Sequence, residues 1–154
     1  MSLSDHIILA AQGYSELEMH EEAILELDKL PLAEQVRPDV LEMRVLILMK
    51  DNRWQEALSA SEKLCALAPE SPVGFIHAAY CLHEMGQTRE AKDLLLEGPA
   101  ELVNDATYHY NLACYECALG NLETARAYLK ASLTMDKNLR EYAKSDPDLK
   151  PLHV

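Results

Sequence analysis

The chain is poor in the residues that break helices. Its 154 residues hold five glycines and seven prolines, and Val/Ile/Thr-rich alternating runs are missing. A strand-built domain is therefore not expected, because turns at strand spacing would need more Gly and Pro. Long apolar runs are absent as well. The longest, VLILM at 45–49, has five residues, far short of the roughly 18 that cross a bilayer. The opening MSLSDHIILAAQG has no basic segment and carries Asp5 and His6 ahead of a short apolar stretch, so it is not expected to act as a secretion signal. Positive charge is scarce: 14 Lys and Arg face 26 Asp and Glu, for a net charge of −12. Such a body repels nucleic-acid phosphates and anionic membrane surfaces, which excludes both as expected partners. With no secretion signal expected, the four cysteines read as reduced thiols of a cytoplasmic protein and not as a disulfide framework. No Gly-rich phosphate loop, nucleophile elbow or H-E-x-x-H motif is present. No enzyme activity and no cofactor are therefore expected.

What is present is helical periodicity and a repeat. Apolar residues recur at helical spacing, as in Ile7, Ala11, Tyr14 and in Leu41, Val45, Leu48; the chain reads as all-α. Alanines stand at Ala23, Ala57, Ala91 and Ala125, each 34 residues from the last, within HEEAI, WQEAL, TREAK and LETAR. Twelve residues before each comes a small or β-branched residue (Ala11, Val45, Ala79, Ala113). Five residues before each comes Glu18, Asn52, Gly86 or Gly120, of which all but Glu18 suit a turn. The spacing predicts helical hairpins whose two helices cross at the alanine, where only a methyl group lets the backbones approach. Hairpins of this size cannot bury their apolar faces alone and must stack.

The phased alanines and turns, with RWQEALSASEKLCALAP at 53–69 and YNLACYECALGNLETARAYL at 110–129, resemble the tetratricopeptide repeat (TPR) family, in particular its small bacterial members. The resemblance implies one domain over 1–154, a right-handed superhelical solenoid of four hairpins at 4–37, 38–71, 72–105 and 106–139 with a cap at 140–154. Five residues depart from the pattern. Pro31 and Pro99 are expected to end the second helix of units one and three early, leaving LAEQVRPD and AELVND as irregular links. Arg44, His109 and Glu116 fall where the family carries apolar packing residues. In the cap, LREYAK is expected to be helical, with Pro147 stopping it and Leu149 and Leu152 packing back.

The resemblance also implies function: a non-enzymatic scaffold that binds a protein or peptide segment on its concave wall. The stripes facing that wall are expected to present Met43, Leu46, Met49, His77, Tyr80, His83, Tyr110, Asn111, Cys114 and Cys117, a mixture of thioethers, aromatics and hydrogen-bonding groups suited to an apolar or amphipathic segment. The family's clamp for acidic chaperone tails requires Lys, Asn and Arg in the groove. The matching places carry Ile8, Gln12, Met43, Val73 and His77, so that mode is not expected. Other readings remain open: a secretion-type or assembly chaperone holding an apolar client segment, a homo-oligomeric structural module, and metal-binding or thiol-redox chemistry at Cys114 and Cys117. A two-cysteine pair supplies half of a tetrahedral zinc site, and these thiols lie well inside a helix rather than at its N-terminus, so no metal is expected.

Overall fold

The computed structural model describes residues 1–153. Ten α-helices follow one another: α1 Leu3–Glu16, α2 His20–Leu27, α3 Leu32–Gln35, α4 Pro38–Lys50, α5 Trp54–Leu67, α6 Pro72–Glu84, α7 Thr88–Leu96, α8 Ala106–Ala118, α9 Leu122–Met135 and α10 Leu139–Ser145. Two 3-10 segments, Ala100–Asn104 and Pro147–Leu152, complete the elements of the described residues, among which no strand occurs. The starts follow local chemistry. Ser2 and Asp5 form a reciprocal capping box on α1. Pro38 and Pro72 open α4 and α6, where a missing amide costs nothing, and the Asp105 carboxylate accepts from the Thr107 amide at 2.8 Å.

Four hairpins result, α1–α2, α4–α5, α6–α7 and α8–α9, and each packs on the next through contacts such as α5 on α6 and α7 on α8. The fold is an all-α solenoid of four hairpins with a C-terminal cap. Ala23, Ala57, Ala91 and Ala125 are fully buried, as are Ala11, Val45, Ala79 and Ala113 opposite them. The core is continuous along the stack: one cluster runs from the first two hairpins into α6 through Ala78 and Cys81, another joins the last two hairpins to the cap, and Leu82 and Leu94 touch both.

The turn inside each hairpin is the same structure four times. Glu18, Asn52, Gly86 and Gly120 all have φ between 57° and 85°. In each, the following amide donates to a carbonyl five residues back: Met19 to Tyr14, Arg53 to Leu48, Gln87 to Leu82 and Asn121 to Glu116, at 2.8–2.9 Å. This closes the first helix in the left-handed C-terminal motif. Glu18, the odd residue in sequence, thus takes the same left-handed conformation.

The links containing Pro31 and Pro99 are more regular than expected. α2 stops at Leu27 and α7 at Leu96, and each link then folds a short helical turn of its own. The three residues that misfit the packing pattern acquire polar partners. Arg44 meets Asp28 at 2.8 Å, and His109 Nε2 meets the Val103 carbonyl at 2.8 Å. Glu116, 2% exposed, has Lys92 Nζ 2.7 Å from Oε1, a close ion pair set off the hydrogen-bond direction.

Candidate functional site

The cap decides the shape of the concave side. Asp146 ends α10 and caps the last 3-10 turn, accepting from the Asp148 amide at 3.0 Å. Pro147 then fixes the chain direction, and Leu149 and Leu152 pack into the core at 0% and 7% exposure. This lays the tail against α8. As a result α8 is buried on almost every side: Tyr108 and every residue from Tyr110 to Cys117 are buried. Tyr110, Asn111, Cys114 and Cys117, expected on an open groove wall, lie instead under the cap. The reason is tertiary: a terminal helix looks half-exposed in sequence until its covering segment is placed.

Between α6, α8 and the tail remains a half-enclosed cavity of about 290 Å³. Of the ten residues expected on the concave wall, Met49, His77, Tyr80, His83, Tyr110, Asn111 and Cys114 line it. Met43 and Leu46 line a separate depression of about 350 Å³ between α1 and α4, with Gln12 and Glu42, and Cys117 lines neither. Sequence reasoning missed the cavity's other wall, contributed by Tyr115, Leu139, Tyr142, Asp146 and Asp148. A signal for it existed in Leu149 and Leu152, since a tail that packs back must carry the two aspartates before them toward α8.

The polar contacts are specific. The Tyr110 hydroxyl donates to Asp146 Oδ2 at 2.6 Å, and the Cys114 thiol lies 3.9 Å from the same oxygen. His83 Nε2 is 3.2 Å from Asp148 Oδ2, while its Nδ1 is 2.9 Å from the Thr88 hydroxyl. His77 sits 3.8 Å from Glu42. The rings of Tyr110 and Tyr142 stand 5.7 Å apart and inclined at 52°, forming a wedge, and Tyr80 leans on Trp54 at 5.9 Å.

Electrostatically the cavity is negative. Burial, then Glu84, pushes the Tyr80 hydroxyl up to about 12. Burial and the Asp146 carboxylate hold the Tyr110 hydroxyl and the Cys114 thiol far above their ordinary ranges. Cys117 is raised as well, by burial and then Asp148. Burial lowers His77, with Glu42 pulling the other way. These thiols are kept protonated, the opposite of what thiol-redox work or metal ligation requires.

The C-x-x-C pair does not form a donor cluster with His77 and His83. Among the described residues the donors that converge are Cys114, Asp146 and Asp148, with ligand atoms within 4.8 Å of one another. Cys117 is not among them. Asp146 already serves Tyr110 and its own 3-10 turn with both oxygens, so this set fits a resident metal poorly.

The family profile of the tetratricopeptide repeat matches residues 48–113, which takes in the end of α4, all of α5, α6 and α7 and much of α8. This match falls on hairpins whose turns and crossing alanines recur every 34 residues along the chain. Over residues 48–113 the chain thus carries tetratricopeptide repeat sequence. Solved structures agree on the fold of the whole described chain. It is similar to MamA 41-end from Desulfovibrio magneticus RS-1, with a TM-score of 0.76 and 19% identity over 91% of this chain and 79% of that one. It is also similar to the MamA RS-1 ArsTM double mutant (TM-score 0.74, 14% identity, 91% and 76% covered) and to MamA MSR-1 C2 (0.70, 15%, 86% and 76%). No curated relative matches the sequence. TPR solenoids are, as a class, protein-interaction scaffolds, generally without enzymatic activity. No helix among the described residues is long and apolar enough to cross a membrane.

Proposed function

We propose that this chain is a cytoplasmic TPR scaffold that works as one domain. In this reading the units 4–37, 38–71, 72–105 and 106–139 and the cap 140–154 together present the cavity between α6, α8 and the tail to a segment of a partner protein. The observation that carries the reading is the cavity itself, a half-enclosed space of about 290 Å³ walled by Met49, Ile76, Tyr80, Tyr110, Leu139 and Tyr142. Aromatic walls of this kind supply contact area at low entropic cost, and a rigid stack has little ordering left to lose on binding. Activity is binding alone, with no chemical step.

The test uses Tyr80→Ala combined with Tyr142→Ala. Tyr142 is 61% exposed and Tyr80 faces the cavity, so the fold tolerates both changes; Tyr110 is unsuitable because its hydroxyl anchors the cap. With a photo-cross-linking residue at position 142, a partner should be captured from native lysate by the otherwise wild-type chain. A chain carrying the cross-linker at 142 with Tyr80→Ala should lose it, as should the double variant in pull-down, at unchanged helicity. Capture that persists at full strength in both refutes the cavity as the binding site.

One observation favours a second reading, head-to-tail self-association. Arg126, Lys130, Lys137 and Arg140 ring a depression of about 610 Å³ floored by Leu129, Leu133 and Leu152, and none of the four makes an ion pair among the described residues. The opposite end, residues 1–30, carries seven acids against Lys29 alone. Sedimentation at rising concentration tests this: a monomer throughout, at low salt, ends it.

A further inference from the structure

The cavity holds negative charge with no strong base in its lining. Asp146 and Asp148 both line it, and its lining residues include neither lysine nor arginine. Glu42 stands beside it at His77. The basic groups in its lining are imidazoles, of which His83 meets Asp148 at 3.2 Å; Lys144 and Lys150 border Asp146 in a separate depression. Asp146 holds its carboxylate in place through two bonds, from the Tyr110 hydroxyl and the Asp148 amide. The remaining walls are ring faces: Tyr80, Tyr110 and Tyr142, the last two inclined as a wedge. Carboxylates placed among aromatic faces attract a cation by two additive routes, charge-assisted hydrogen bonding and the ring quadrupole.

We infer that the cavity receives an arginine side chain presented by the partner segment, its guanidinium stacked among Tyr80, Tyr110 and Tyr142, hydrogen-bonded to Asp148 and facing the charge of Asp146. This rests on the proposed segment-binding role and names the chemistry that role selects. Arginine is favoured over lysine because the walls are flat and partly apolar. A guanidinium is planar, weakly hydrated and able to stack, whereas an ammonium would have to give up a tightly held water shell. Met49, Ile76 and Leu139 provide apolar surface for the aliphatic stem. The side chain of Asp148 is 46% exposed and stands ready to receive the incoming group.

The test compares three capped pentapeptides, Ala-Ala-X-Ala-Ala with X as arginine, citrulline or lysine, titrated into the full-length protein and followed by amide NMR shifts. Citrulline keeps the shape of arginine and removes its charge. The arginine peptide should shift resonances around Tyr80, Tyr110 and Asp148 and bind about tenfold more tightly than citrulline, the factor that a single charge-assisted contact commonly supplies. Its affinity should fall at high salt. Asp148→Asn should abolish that preference while leaving the weak citrulline binding unchanged; the variant keeps the backbone amide that Asp146 caps.

Equal affinity for arginine and citrulline overturns the inference, as do arginine-induced shifts confined to the acidic first hairpin. A zinc chloride titration that perturbs the cavity while the arginine peptide leaves it silent also overturns it, in favour of a metal site. If partner capture depends on Tyr80 and Tyr142 but the arginine preference is missing, the arginine inference falls and the segment-binding role stands. If the arginine preference holds while capture ignores Tyr80 and Tyr142, the segment-binding role falls and the cation pocket stands.

Discussion

Glu18 is the one position where the repeat carries an ill-suited residue in an otherwise shared turn, and replacing it gives a quantitative check on the whole stack. Its φ of 60° places an L side chain in the left-handed region, which costs a non-glycine residue about 1–2 kcal/mol. Glycine at the equivalent sites, Gly86 and Gly120, avoids that cost at φ of 83° and 85°. Glu18 is exposed and makes no side-chain bond among the described residues, so little is lost by removing it. Glycine gives back about 0.5–1 kcal/mol through its freer unfolded chain. Glu18→Gly should therefore stabilise the first hairpin by about 0.5–1 kcal/mol. If the chain unfolds as one unit, Tm rises by roughly 2 °C. If the first hairpin frays by itself, as terminal units of a solenoid do, the gain shows in hydrogen exchange of the Met19 amide, which is bonded to the Tyr14 carbonyl at 2.9 Å. The reciprocal change is Gly86→Ala. A Cβ there meets nothing within 4 Å, so its expected loss of similar size is conformational and not steric. A Glu18→Gly protein that melts lower than wild type, or a Gly86→Ala protein that melts higher, refutes the shared-turn reasoning.

Lys92→Met removes the cation beside a carboxylate that is 3% exposed; leaving Glu116 buried and unpaired should cost about 3–5 kcal/mol in urea unfolding, and adding Glu116→Leu should recover much of it. His77 is held below its ordinary range by burial, so the unfolded chain binds its proton more readily, and its contribution to stability is lost as pH falls below about 6.5. His77→Gln should flatten the fall in denaturation midpoint between neutral and mildly acid pH, and an unchanged slope would count against the burial argument. The Cys65 and Cys81 thiols are raised to about 11 by burial, Cys65 also by Glu62 and Cys81 by Glu84, and Cys114 is raised further. Alkylation by iodoacetamide at neutral pH should thus be slow in the native protein and fast only in denaturant; one rapidly modified native thiol among these three would contradict the assigned environments.

How much was legible beforehand differs by element. Crossing points were legible because close helix approach admits only small side chains, and Ala23, Ala57, Ala91 and Ala125 advertise it by phase. The Glu18 turn was half legible: its position matched the period, but its residue type did not, and the cooperative closure of the hairpin overrode local preference. Arg44, His109 and Glu116 looked like faults in the pattern. Each is accommodated by a partner that no periodicity displays, namely Asp28, the Val103 carbonyl and Lys92.

The candidate cavity divides along the same line. Its repeat-borne wall, from Met49 to Cys114, follows from helical phase and was expected. The opposite wall of Leu139, Tyr142, Asp146 and Asp148 depends on where a short tail lands after Pro147, a matter of which apolar face remains unburied when the last hairpin has formed. The sequence alone therefore determined the hairpins, their period and the sign of the charge, because these rest on local backbone preferences and composition. Only the tertiary structure decided that the tail covers α8, and with it that an open groove narrows to a pocket of tyrosines and carboxylates. Packing a terminal apolar surface is a long-range choice among available covers, and no short stretch of residues records which cover is chosen.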